Sequence, residues 1–194
     1  MRKVPYQYEN PLDNFLYELS EINSPYFYSI GFTPNMITTL SNIACIILIL
    51  LLLNANYYLA ALFLLISYYF DCMDGHYARK YKMYSSIGDY YDHISDIIKT
   101  FAILITLFYI DSDKFYNIIP IIILFAILSS IHIGCQELLN NSYNSDSLEI
   151  TKKICPVKDK NDQNEIKKTI SFTKLFGSGT LYIVLTLCII YYAN

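Results

Sequence analysis

The segment PNMITTLSNIACIILILLLLNANYYLAALFLLISYYF, residues 34–70, contains no Asp, Glu, Lys or Arg, and the charge-free run to which it belongs begins at Ile22. A membrane-spanning helix needs roughly 20 mostly apolar residues. This one run therefore has the length for two spans, divided by Asn54-Ala55-Asn56. Residues 115–136 and 175–194 are charge-free as well, and each has the length for one span. The pattern excludes a soluble globular domain. It predicts an all-α, polytopic membrane bundle of about five spans: Pro34–Leu53, 57–79 continuing toward Lys82, Ser86–Ile110, 115–139 and 175–193.

The chain reads as one membrane domain over residues 1–194. Within residues 1–32, Leu12, Phe15, Leu16, Leu19 and Ile22 recur at helical spacing with Asp13, Glu18 and Glu21 between them, the pattern of an amphipathic helix at the membrane interface. Pro25 and Gly31-Phe-Thr-Pro34 are expected to break that helix. Residues 140–170 form a polar loop unable to cross a bilayer. No cleavable signal peptide is evident at the start. The five cysteines, at 45, 72, 135, 155 and 188, lack CxxC spacing and mostly sit in or beside apolar segments, so they read as small buried hydrophobes rather than a disulfide framework or a zinc site.

The net charge of −3 matters less than where the basic residues lie. With the N-terminus in the cytoplasm, that side holds Arg2, Lys3, Arg79, Lys80, Lys82 and the seven lysines from Lys152 to Lys174, which is 12 of the 14 Lys and Arg. The positive-inside rule thus predicts a cytoplasmic N-terminus and places the Asp-rich segment on the same side. No nucleic-acid partner is expected.

Five aspartates lie between residues 71 and 96 at the ends of two apolar helices, where an ionised carboxylate costs at least a few kcal/mol unless it is paired or hydrated. Asp71, Asp74, Gly75 and Ala78 share one helix face by their i, i+3, i+4, i+7 spacing, and Gly88, Asp92 and Asp96 form an i, i+4, i+8 stripe on the next helix. A tight turn between the helices brings the two aspartate pairs together. Four carboxylates in one cavity repel one another, and two Mg²⁺ or Mn²⁺ ions would neutralise them with hard oxygen ligands and bind a diphosphate. Gly75, Ala78 and Gly88 allow a nucleotide close to the helix backbone, and Arg79 can meet a phosphate. Asp89 reads as a solvated residue pointing away from the stripe, His76 as a spacer, and His132, beside Cys135 and Gln136, as an ordinary polar residue.

The string D71-x2-D74-G75-x2-A78-R79-x8-G88-x3-D92-x3-D96 resembles the full signature of the CDP-alcohol phosphatidyltransferase family. The similarity extends to Thr33-Pro-Asn35-Met-Ile-Thr38 and to Tyr8-Glu-Asn-Pro-Leu-Asp13. The resemblance implies an integral membrane enzyme in which a hydroxyl attacks the phosphorus of a CDP-linked donor and expels CMP. It implies that Asp71, Asp74, Asp92 and Asp96 hold two Mg²⁺ or Mn²⁺ ions, with Asp96 as the base. It also implies that Gly75, Ala78, Arg79 and Gly88 line the nucleotide pocket, with Asn35 as a further nucleotide contact. His93 is the alternative base, but it lies about 100° off the stripe by helix geometry.

Two hints about the substrate disagree. The Asp92-His93 pair resembles the choline and ethanolamine phosphotransferase branch, whereas the His after Asp74-Gly75 resembles phosphatidylinositol synthases. The Tyr8 to Asp13 segment favours the first branch: CDP-choline or CDP-ethanolamine as donor and diacylglycerol as acceptor. The alternative is CDP-diacylglycerol with inositol, glycerol 3-phosphate or serine. From other classes, an inactive scaffold and an ion transporter remain as readings of a carboxylate cluster in a membrane. Family members commonly have six spans against the five counted here. A homodimer, with a second copy packed beside the third and fourth spans, is expected on that ground.

Overall fold

The computed structural model describes residues 4–139 and 151–194; Arg2, Lys3 and residues 140–150 of the polar loop lie outside the described residues. Seven helices follow one another: α1 Pro11–Ser29, α2 Pro34–Leu53, α3 Tyr57–Tyr81, α4 Ser86–Ile110, α5 Ser112–Leu139, α6 Gln163–Thr173 and α7 Ser178–Tyr191, with short 3₁₀ turns and no strand among the described residues. The starts of α1, α2 and α4 are written in their caps. Asn10, Thr33 and Ser85 accept from the backbone N–H of Leu12, Met36 and Gly88, and Pro11 and Pro34 occupy first turns, where a missing N–H costs nothing.

Four helical segments are long and apolar enough to cross a membrane: α2, α4, α5 and the continuous Gln163–Tyr191. The expected fifth, α3, has 25 residues but carries Asp71, Asp74, His76, Arg79 and Lys80 in its second half, which dilutes its apolarity. It is also the helix most enclosed by others, packing on α1, α2 and α7, while α2 also packs on α4, and α5 on α6 and α7. Leu48, Leu52, Leu64, Leu107 and Ile189 form the core of the bundle, each almost fully buried. Outward-facing Ile46, Leu50, Ile105, Tyr109, Leu124 and Leu187 are exposed, as lipid-facing residues of a membrane bundle must be. The protein is a polytopic helical membrane bundle.

Three expectations require correction. Pro25 does not end α1, which continues to Ser29. A proline leaves the carbonyl four residues earlier without its helical donor, and here Lys80 Nζ donates to the Glu21 carbonyl at 3.3 Å, so the break is mended from α3. The polar loop contains a helix, α6, because Ile166, Ile170 and Thr173 recur on one buried face within a charged sequence and Asp162 caps its first turn. Finally, Cys135 and Cys155 form a disulfide, while Cys45, Cys72 and Cys188 are free. The pair is 20 residues apart in sequence and meets because the part of the polar loop around Thr151–Lys153 packs back onto α5; no short-range spacing announces it.

Helix α1 is inverted relative to a soluble amphipathic helix. Asp13, Asn14, Ser20 and Ser24 are buried against the bundle, whereas Phe15, Ile22 and Tyr26 are exposed. Its N-terminal end is pinned to the start of α7. Asn10 Nδ2 donates to the Lys174 carbonyl and to Thr180 Oγ1, both at 2.8 Å, Asp13 accepts from Tyr68 and from the Gly179 N–H, and Gln136 Nε2 donates to Glu9 Oε1 at 2.6 Å. Burial, and then the charge of Glu9, push the Asp13 carboxyl up to about 7. A Cβ at Gly179 would lie 2.5 Å from Asn10 Oδ1 and 2.6 Å from Asp13 Oδ1. Gly179→Ala is therefore expected to loosen this junction by about 1–3 kcal/mol, read as a lower melting temperature in detergent together with faster proteolysis near the N-terminus.

Candidate active site between α2, α3 and α4

Helices α3 and α4 are joined by a short turn at Lys82–Ser85, with Lys82 in the left-handed conformation. They scarcely touch each other; each packs on α2 instead. This differs from the close antiparallel pair expected from the turn. Carboxylates on facing stripes repel, and the gap they keep is an open cleft.

The cleft is lined by Asn35 and Thr38 from α2, Asp74, Gly75, Ala78 and Arg79 from α3, and Gly88, Asp89, Asp92 and His93 from α4, with Met83, Tyr84 and Ser85 from the turn. Most of the residues singled out in the sequence therefore meet in one place. Asp71 and Asp96 are not among the lining residues; each lies one helical turn from Asp74 or Asp92 on the same helix. Asp89, expected to point away, lines the cleft with its Oδ1 3.5 Å from His93 Nε2. One turn of helix brings residues 89 and 93 onto one face, and that pair places His93 in the cleft as well.

The glycines mark close approaches. A Cβ on Gly88 would come within 2.8 Å of Asn35 Oδ1, and one on Gly75 within 3.3 Å of Arg79 Nη1. Gly88 thus admits the Asn35 side chain of α2, and Gly75 lets the Arg79 guanidinium lie back along its own helix at the cleft wall.

The four aspartates have unequal surroundings. Asp74 is buried, and its Oδ2 accepts from Thr38 Oγ1 at 2.5 Å. Asp71 Oδ1 and Asp96 Oδ1 lie 2.6 and 2.9 Å from Lys99 Nζ. Asp92 Oδ1 is buried without a hydrogen-bond partner. A buried carboxylate oxygen left in that state is costly, and hard oxygen donors of this kind suit Mg²⁺ or Mn²⁺. Asp92, His93 and Asp96 can each offer an atom within 4.8 Å of the others. The donor set fits a divalent cation.

His76 turns away from the cleft. It is buried, and its Nε2 lies 2.8 Å from Glu21 Oε2, whose other oxygen is 2.5 Å from Lys80 Nζ. The hydrogen bond from Lys80 holds the Glu21 carboxyl below its ordinary range. This cluster fastens α1 to the C-terminal end of α3. His132 is likewise buried, with Nδ1 3.2 Å from Thr173 Oγ1 and Nε2 3.1 Å from Gln136 Nε2. Its role is to join α5 to α6.

Lys99 is the site residue that the sequence reading passed over. A lysine inside an apolar helix needs a partner, and its i, i+3 spacing from Asp96 pointed to one.

A bundle of membrane helices enclosing a cleft of paired aspartates, small residues and an arginine defines a membrane enzyme acting on a phosphorylated substrate. The family model for CDP-alcohol phosphatidyltransferase matches residues 32–154, more than half of the chain, and the chain belongs to that family. It is thereby a transferase of lipid synthesis, of the class that moves a phospho-alcohol from a CDP-alcohol. Neither the curated proteins nor the solved structures contain a significant match.

Proposed function

We propose that this chain transfers a phospho-alcohol group from a CDP-linked donor to a hydroxyl, with release of CMP, and that Asp71, Asp74, Asp92 and Asp96 hold two Mg²⁺ or Mn²⁺ ions for the reaction. The observation that carries this reading is the single cleft uniting Asp74, Gly75, Ala78, Arg79, Gly88 and Asp92. When bound, the ions supply charge neutralisation at the diphosphate. The chain supplies the rest. Asn35, Gly75, Ala78 and Gly88 form the small-residue wall against which the cytidine nucleotide lies, and Arg79 orients a phosphate oxygen as a fixed cation. The cleft lies on the cytoplasmic side, from the distribution of basic residues, and the functional unit is a homodimer, from the span count.

For the substrate, we propose CDP-choline or CDP-ethanolamine with diacylglycerol as acceptor. His93 lines the cleft whereas His76 is turned to Glu21, which supports the hint carried by Asp92-His93 over the one carried by His76. The alternative donor is CDP-diacylglycerol, with inositol, glycerol 3-phosphate or serine as acceptor. The test incubates purified protein with Mn²⁺ and each CDP-alcohol, with and without diacylglycerol, and follows CMP. CMP release that needs both CDP-choline or CDP-ethanolamine and diacylglycerol is expected. Release from CDP-diacylglycerol with a polar alcohol would assign the other branch, and no release from any donor would favour a scaffold.

A further inference from the structure

Lys99 sits on α4 one turn beyond Asp96 and is almost fully buried. Its ammonium reaches Asp71 Oδ1 at 2.6 Å, Asp96 Oδ1 at 2.9 Å and Ser41 Oγ at 2.9 Å. It donates hydrogen bonds to Asp71 Oδ1 and Ser41 Oγ and forms an ion pair with Asp96 Oδ1. Ser41 is itself fixed, since its hydroxyl donates to the Ser67 carbonyl at 2.9 Å. The ammonium is therefore held from α2, α3 and α4 together.

This divides the four carboxylates into two unequal pairs. Asp71 and Asp96 share a positive charge built into the protein. Asp74 has the neutral hydroxyl of Thr38, and among the described residues no lysine or arginine pairs with Asp74 or Asp92 as Lys99 does with Asp71 and Asp96. A divalent ion approaching Asp74 and Asp92 meets carboxyl groups with no ammonium seated on them, whereas one approaching Asp71 and Asp96 meets an ammonium already seated on the same carboxylates. At such separations in a partly desolvated site, like charges repel strongly.

We propose that Lys99 is a resident counter-cation that makes the two divalent positions unequal: the ion held by Asp74 and Asp92 binds first, and the ion held by Asp71 and Asp96 binds weakly until a nucleotide diphosphate adds negative charge. Lys99 is thus a positioning residue, and the assignment rests on the metal-site reading above. It gives the chain a stable metal-free state in which the four acidic side chains of α3 and α4 need not disperse. It also couples full metal loading to the presence of the donor.

The test measures Mn²⁺ binding to the full chain in detergent by electron paramagnetic resonance, for the wild type, Lys99→Met and Lys99→Arg, with and without CDP. Without nucleotide the wild type should bind Mn²⁺ in two steps about tenfold or more apart, and CDP should tighten the weaker one. Lys99→Met should bring the weaker step toward the stronger by about tenfold, and Lys99→Arg should keep the steps apart. In parallel, Lys99→Met should lose more melting temperature in EDTA than in Mn²⁺, because bound metal takes over the role of the ammonium. An unchanged separation of the steps, steps of equal affinity in the wild type, or an equal thermal loss in both media overturns the proposal and leaves Lys99 a folding residue. Failure of Lys99→Met to fold in either medium has the same meaning. Absence of Mn²⁺ binding by the wild type is a separate result, which refutes the metal-site reading and takes this proposal with it.

Discussion

Asp92→Asn is expected to lower CMP release by roughly 10³-fold, the loss of a few kcal/mol of charge stabilisation, while leaving the fold intact. Asn keeps the shape of Asp, and Asp92 Oδ1 has no hydrogen-bond partner to lose, so the change removes a charged ligand with little structural cost. The variant should also bind Mn²⁺ more weakly, and EDTA should abolish turnover of the wild type. Asp89→Asn serves as the comparison. Asp89 lines the same cleft but pairs with His93 at 3.5 Å, and its replacement should cost far less. Turnover that survives EDTA undiminished, or equal losses for Asp89→Asn and Asp92→Asn, would refute metal ligation by Asp92.

Much of this was legible in the sequence because membrane and motif leave periodic signals. Charge-free runs marked α2, Pro34–Leu53, and most of α5, Ser112–Leu139, since a lipid-facing helix admits few charges along its length. The i, i+3, i+4 spacings placed Asp74, Gly75, Ala78, Gly88 and Asp92 on one cleft. What stayed hidden depends on contacts between distant segments. The Cys135–Cys155 bridge, the mending of the Pro25 break by Lys80, and the burial of Asp13 beneath α7 each join residues that no local pattern relates. Helix α6 was obscured for another reason. Its buried face is narrow, only Ile166, Ile170 and Thr173, and charged residues on the other faces outweighed it in composition. An idealised helical wheel turns Asp89 away from the cleft that it lines, because it counts angles on one helix and cannot show that α4 packs on α2 rather than closely on α3.

Replacement of the general base is expected to give the second large effect, and the two candidates separate by experiment. Transfer to a hydroxyl needs that proton removed as the bond to phosphorus forms, and a positioned base contributes about 10²- to 10⁴-fold. Position on the Gly88 stripe and the family resemblance favour Asp96. The cleft itself favours His93, which is among its lining residues, whereas Asp96 is not among them and has Oδ1 2.9 Å from Lys99 Nζ. A base must first be within reach of the hydroxyl, and a carboxylate oxygen already occupied by an ammonium is poorly placed to take a proton. His93→Gln is therefore expected to lower kcat by about 10²-fold or more while leaving Mn²⁺ binding and the KM for the CDP-alcohol near wild type. A histidine base also gives kcat a pH dependence near neutrality, which the Gln variant should lack. Asp96→Asn should instead weaken Mn²⁺ binding together with kcat, and added Mn²⁺ should recover part of its rate, because its loss is one of ligation. The opposite pattern is a kcat loss in Asp96→Asn that saturating Mn²⁺ does not relieve, beside a nearly active His93→Gln. That pattern would return the proton to Asp96 and leave His93 as a partner of Asp89 at the cleft wall.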